Sequence, residues 1–286
     1  MKIWITGANG MLGSSLLKVC SKRGMDAVGT ARSEADVCDL SQLKEKFLEI
    51  RPTLIINCAA YTDVDKAESE PERVFAVNAE GAANMARVAK EFSARLMHIS
   101  TDYVFDGRGI EPYKEEGLCA PCNIYGASKW EGEKKVLEIL PEACVLRTSW
   151  LFGAQGKNFI SSLMRLFQEK EELQVVSDQC GRPTYCHDLA AAVFSLLNAQ
   201  GIYHFANEEK RSRYEIALHL LEILKTMGIA VKCKRIVPVL SAQFPTPAPR
   251  PSYSVLDTDK YFHHTKIKPR PFGEAVREFL SDAYPL

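Results

Sequence analysis

Along the first half of the chain, apolar and polar positions alternate in the rhythm of strands and helices. Residues 2–6 form a short β-rich run, and a glycine turn leads from it into a helical pattern over 12–20, with Gly24 suited to the helix end. Residues 26–30 predict a second strand. A helix over 43–50 is closed by Arg51-Pro52, because the residue before a proline avoids the helical region. The run 54–59 is apolar but for Asn57, as expected of a strand buried on both faces. Residues 79–92 place Ala79, Ala82, Ala83, Ala86 and Ala89 on one helical face, small enough to pack closely on a sheet. A strand over 96–100, a helix over 125–140 and a strand over 144–149 continue the series. Such βαβα alternation predicts an α/β fold with a Rossmann-like, doubly wound parallel sheet.

After about Phe152 the rhythm weakens. Helices are expected over 158–169, 187–199 and 214–227, with short strands over 173–176 and 201–206 and a last helix over 272–284. Four prolines fall within 244–251, and the helical pattern beyond them favours an ordered loop inside a second lobe. The expected division is a nucleotide-binding domain over 1–152 and a mainly substrate-binding lobe over 153–286. Some segments near 185–206 are expected to return to the first domain.

The charge balance narrows the partners. Lys+Arg and Asp+Glu both number 36, which gives no support for a nucleic acid or a membrane surface and favours a small molecule in a local pocket. The opening residues hold no charged stretch followed by a long apolar run, and no apolar run reaches membrane length. A cytoplasmic location is expected, and nine scattered cysteines fit a reducing compartment. Cys119 and Cys122 form a C-x-x-C without a convincing second pair, so no metal is expected there.

The chemistry starts at Gly7-Ala8-Asn9-Gly10-Met11-Leu12-Gly13, a G-x-x-G-x-x-G loop between a strand and a helix. Glycines let the backbone turn sharply against a pyrophosphate, and the helix N-terminus offers free N–H groups. NAD-binding folds usually end the second strand with an acid that holds the ribose hydroxyl. Here Thr30-Ala31-Arg32-Ser33 supplies a guanidinium instead, which suits a 2′-phosphate and predicts NADPH, with NADH possible. Asp39 and Leu40 are candidates to meet the adenine. Ala59 and Ala60, small residues after a strand, leave room for a flat cofactor. Tyr61, Asn78 and Ser100 complete the expected cofactor set.

Tyr125 and Lys129 form a Y-x-x-x-K, one turn apart on a helix. A free tyrosine titrates at about 10, and a nearby ammonium would lower that by about one to three units, making the phenol a usable general acid. Just upstream, a strand ends in Ser100-Thr101-Asp102-Tyr103, placing hydroxyls at the ligand crevice of a parallel sheet.

These pieces resemble the dTDP-4-dehydrorhamnose reductase family of extended short-chain dehydrogenases. The matching segments are the glycine loop, 57–68, 100–107, 121–126, 147–150, 181–184 and 247–251, in family order. The resemblance implies reduction of the C4 ketone of dTDP-4-dehydro-L-rhamnose. It assigns Thr101, Tyr125 and Lys129 as the catalytic triad: Tyr125 protonates the oxygen, Thr101 hydrogen-bonds it, and Lys129 biases Tyr125. It places Thr62, Val64, Tyr103 and Trp150 around the sugar, with Asp102 nearby. Arg250, in the proline-rich loop, is expected over a diphosphate. Some family members are described as Mg-bridged dimers using glutamates. Here the first helix reads Ser14-Ser15-Leu16 without a carboxylate, and Glu274, Glu278 and Asp188 make an incomplete set, so no metal and a monomer or weak homodimer are expected. Two alternatives stay open: a non-catalytic NADP-binding subunit resembling that of methionine adenosyltransferase, and a reductase or epimerase of another nucleotide sugar.

Overall fold

In the computed structural model, which describes residues 1–283, six parallel strands form the central sheet. β1 (Lys2–Thr6), β3 (Leu54–Asn57) and β5 (Cys144–Thr148) are buried with almost no alternation, as strands covered on both faces must be. β2 (Asp26–Thr30), β4 (Arg95–Thr101) and the later strand Gly201–His204 complete the sheet. Across it the order is Gly201–His204, β5, β4, β3, β1, β2. The winding therefore reverses between β2 and β3, on either side of β1, which opens a crevice at the carboxyl ends of β1 and β3.

Helices cover both faces. α1 (Met11–Lys22) packs with the later helix Cys186–Ser195 over one face, where Leu12, Leu16, Leu189 and Val193 meet Ile3, Ile5 and Ile56. α2 (Leu40–Ile50) lies on the other face and starts at Asp39, whose carboxylate accepts from the Ser41 and Gln42 amides. α3 (Val64–Ala67) is a single turn. α4 (Pro71–Phe75), a π-helical turn (Ala76–Glu80) and α5 (Gly81–Glu91) follow one another without a break. The helix expected from residue 79 thus begins eight residues earlier, where Pro71 fits a first helical position. α6 (Ile124–Ile139) completes this layer.

The second core gathers Phe152, Phe167, Leu220 and Phe272 among helices Phe159–Glu169, Arg213–Thr226 and Phe272–Ala283. A parallel pair, Glu172–Val176 with Arg235–Val239, borders it. The helix expected to end at Ala199 stops at Ser195, and the expected end at Tyr284 lies outside the described residues. The helix Cys186–Ser195 and strand Gly201–His204 pack in the core of the main sheet, although the chain has visited the second core before them.

The proline-rich segment is ordered but is not confined to the second lobe. Asn123 donates to the Pro249 carbonyl, Tyr253 and Ser252 both donate to the Gly107 carbonyl, and Arg250 makes two hydrogen bonds to Asp65. It straps the loop after β4, the start of α6 and α3 together. Among the described residues, no helix is long and apolar enough to cross a membrane.

α6 is pressed hard against its neighbours. A Cβ at Gly132 would stand 2.2 Å from the Asn78 carbonyl oxygen, in the π-helical turn. Backbone cannot yield there as a flexible side chain would. Gly132→Ala is expected to cost about 1–3 kcal/mol, as overpacking does, and thermal unfolding should show a Tm several degrees lower.

Candidate active site

The crevice between β1 and β3 opens into a cavity of about 860 Å³ lined by all of the glycine loop but Ala8: Gly7, Asn9, Gly10, Met11, Leu12 and Gly13. The glycines are required by contact. Gly7 has φ +64°, and a Cβ there would stand 2.8 Å from the Ala59 amide; at Gly13 it would stand 2.4 Å from the Gly7 carbonyl oxygen. Gly10 caps α1 and offers no side chain to accept from the first amides of the helix. Deeper in the same cavity, Ser100 Oγ and Thr148 Oγ1 are buried without a hydrogen-bond partner among the described residues. A loop that excludes Cβ atoms, bare helix amides and orphaned hydroxyls fit a dinucleotide.

Ala59, Ala60 and Tyr61 line this cavity as expected, and so does Ser100. Arg32 is at its rim, two-thirds exposed, but it is not alone: its Nε lies 3.1 Å from Asp36, which also lines the cavity. The strand end itself carries no acid, as read from the sequence, but a turn after β2 folds Asp36 back onto Arg32. Asp39 and Leu40 do not line the cavity. Asp39 is the cap of α2 and Leu40 packs into the core, while Asp36 and Val37 take the rim position. Asn78 is also outside the lining. Its Oδ1 accepts from the Tyr61 amide and its Nδ2 donates to Ser128 Oγ, so it ties the Tyr61 loop to α6.

Thr101, Tyr125 and Lys129 come together on one wall. Asn123 caps α6 through the Gly126 amide, which fixes the first turn and with it Tyr125. The Thr101 hydroxyl donates to Asp102 Oδ1 at 2.9 Å and accepts from the Tyr103 amide. Burial pushes the Tyr125 phenol up, and Asp102 and Tyr103 push the same way. The expected depression by Lys129 is therefore not found: its Nζ is turned to the Ile99 carbonyl at 2.6 Å and to His98 at 3.3 Å. Burial pulls Lys129 itself down to about 8, with Glu133 opposing.

A second cavity, of about 260 Å³, shares Thr62, Thr101, Asp102, Tyr125, Trp150 and Leu151 with the first. Val64 and Tyr103 line it too, so the expected sugar residues converge. Trp150 stands at φ +45°, a conformation that non-glycine residues hold only where the surroundings impose it. Arg250 lines neither cavity and is bound to Asp65. In its place the structure brings up Arg213, which sequence reasoning missed. Its guanidinium lies 4.4 Å from the Trp150 ring and 4.9 Å from Phe159, and Nε donates to Gln179. Nothing local marks it, since it is the first residue of an ordinary capped helix. His98 is a second omission, being one residue within a strand.

Among the described residues, one group has metal-like spacing: His187, Glu278 and Asp282. It lines neither cavity. His187 does have an acidic neighbour, Glu278 at 3.8 Å, and Arg270 binds both Glu278 and Asp188.

Asp102 is buried, its Oδ2 has no hydrogen-bond partner among the described residues, and burial pushes its carboxyl up to about 6 from the ordinary 3.8. Between those values the folded chain holds a proton that the unfolded chain has lost. Asp102 therefore removes stability as pH rises from about 4 to 6, by at most about 3 kcal/mol. Asp102→Asn should flatten stability across that window and raise Tm at pH 7, as read by thermal unfolding against pH.

The family model described as RmlD substrate binding domain matches residues 1–284. A dTDP-4-dehydrorhamnose reductase of Mycobacterium tuberculosis is 42% identical over 268 residues, covering 91% of this chain and 86% of that one. The spore coat polysaccharide biosynthesis protein SpsK of Bacillus subtilis is 36% identical over 98% of this chain and 97% of its own. The crystal structure of Bacillus anthracis dTDP-4-dehydrorhamnose reductase in complex with NADP superposes with a TM-score of 0.93 at 37% identity, covering 99% of this chain and all of the other. With matching sequence and fold from end to end, the chain belongs to the RmlD substrate binding domain family.

Proposed function

We propose that this protein reduces the C4 ketone of dTDP-4-dehydro-L-rhamnose to the alcohol of dTDP-L-rhamnose with NADPH. The observation that carries this reading is the placement of Thr101 and Tyr125 on a wall common to both cavities, one suited to a dinucleotide and one of a size for a sugar. Relatives named for this reaction support the choice of substrate. We assign the cofactor to the glycine loop, Arg32, Ala59 to Tyr61, Ser100 and Lys129. The sugar goes to Thr62, Val64, Asp102, Tyr103 and Trp150. In this assignment residues 153–286 serve mainly the substrate, apart from the helix and strand that rejoin the main sheet.

When bound, the nicotinamide supplies a hydride to the carbonyl carbon. The chain's own work is the proton. Because burial raises the Tyr125 phenol, it is fully protonated at neutral pH and starts as the acid that a reduction needs. Tyr125 gives its proton to the oxygen at C4, and Thr101, turning its one proton from Asp102, hydrogen-bonds that oxygen. Trp150 and Tyr103 shield the site, which strengthens every hydrogen bond made within it.

The test is NADPH oxidation followed at 340 nm with dTDP-4-dehydro-L-rhamnose. Tyr125→Phe should lower kcat at least about 100-fold while NADPH binding, read by fluorescence, is kept. A wild-type chain that binds NADPH without turnover would overturn the reading and favour a regulatory subunit. With the same assay, Arg32→Ala should reduce the preference for NADPH over NADH roughly tenfold, the worth of one charge-assisted contact to a phosphate. An unchanged ratio would remove Arg32 from cofactor selection.

A further inference from the structure

We infer that His98 is a positioning residue for Lys129: Asn57 holds its imidazole as the Nε2–H tautomer, and that N–H, aimed at Lys129 Nζ, sets how firmly the lysine keeps its proton. The inference follows from which atoms can donate. The Ala59 amide can only donate, and it meets Asn57 Oδ1 at 3.2 Å; Thr6 Oγ1 donates to the same oxygen at 2.7 Å. The Asn57 side chain is thus fixed with its Nδ2 toward His98 Nδ1, 3.1 Å away. An amide nitrogen cannot accept, so Nδ1 is the bare nitrogen of the ring. Burial and the nearby Lys129 hold His98 well below its ordinary range, so the ring is neutral and its one proton is on Nε2.

Nε2 lies 3.3 Å from Lys129 Nζ. A neutral amine satisfies this arrangement: one N–H donates to the Ile99 carbonyl, the lone pair accepts from His98, and the other N–H is left for the cavity. An ammonium has no lone pair and would set N–H against N–H. Thr6, Asn57, His98 and Lys129 are each 2% exposed or less, so solvent does little to relieve that conflict. The other titratable neighbours do not reverse it. Burial pushes the Cys58 thiol up to about 12, so it is uncharged, and Tyr125 is protonated. Glu133, one turn along α6, favours the ammonium but is bound by Arg147 at 2.7 Å. Asn78 of the π-helical turn and Ser128 of α6 bring no charge. His98 therefore limits the ammonium form of Lys129, and so the upper pH bound of the site.

The functional part of this inference rests on the proposed reduction, in which Lys129 is assigned to the cofactor and its ammonium would hold that group; the tautomer does not. Two measurements separate them. In histidine 15N-labelled wild-type chain, with His98→Phe used for assignment, the His98 Nδ1 resonance is expected in the unprotonated range and Nε2 in the protonated range. In the pH profile of kcat/KM, His98→Phe keeps the burial and deletes the N–H, so the alkaline limb should move up by about one pH unit. His98→Gln, which retains a donor, should leave the limb near its wild-type position. A proton found on Nδ1, or a limb unmoved in His98→Phe, would overturn the inference. Should His98→Phe fail to fold, the wild-type tautomer decides it, with assignment through His98→Gln. Absence of wild-type turnover would instead strike the proposed reaction and leave the tautomer result standing.

Discussion

The contact on which the site depends is the closeness of α6 to two backbone carbonyls. A Cβ at Gly126 would stand 2.1 Å from the Tyr103 carbonyl oxygen, and one at Gly132 would stand 2.2 Å from that of Asn78. Tyr125 stands beside the first of these points, and Ser128 and Lys129 lie between the two. With no room for a methyl group at either end, the helix is held against the loop after β4 and the π-helical turn. That spacing brings the phenol to Thr101 and lets Lys129 reach the Ile99 carbonyl. Asn123 at the helix start and Asn78 on Ser128 secure the same register with hydrogen bonds.

A buried ion pair holds the far side of the helix. Arg147 on β5 binds Glu133 of α6, and both side chains are 2% exposed. The same guanidinium donates to the Glu115 carbonyl and packs over the Phe105 ring, drawing in the loop after β4. Such a pair adds little net stability, because desolvation offsets attraction, but removing one partner leaves a buried charge. It therefore specifies where α6 lies more than how stable the fold is. Around it burial governs the chemistry: it raises Tyr125 and Asp102, lowers Lys129 and keeps His98 neutral.

Much of this was legible along the chain because the signals are local. The glycine loop reads from spacing, since the residues that meet a pyrophosphate are successive along one turn. The strands β1 and β3 read from unbroken apolar runs, and α6 with Tyr125 and Lys129 reads from a four-residue interval. Thr101 reads from its place at a strand end. What escaped has no local mark. Arg213 reaches the small cavity only because a helix of the second core begins there. Asp36 is only four residues from Arg32, but it is the turn after β2 that makes the two meet. Arg250 looks free in sequence, yet Asp65, 185 residues away, takes it.

The sequence by itself determined the layered α/β plan, the nucleotide loop and the residue types of the catalytic wall, since each depends on periodicity or short spacing. Tertiary structure alone decided the protonation of those residues. Asn57, His98 and Lys129 stand 41 and 31 residues apart, and only the pairing of β3 with β4 and the docking of α6 make them a chain. Proton affinity follows from the dielectric and the partners around a group. Both are properties of what folding brings together, which no interval along the chain records.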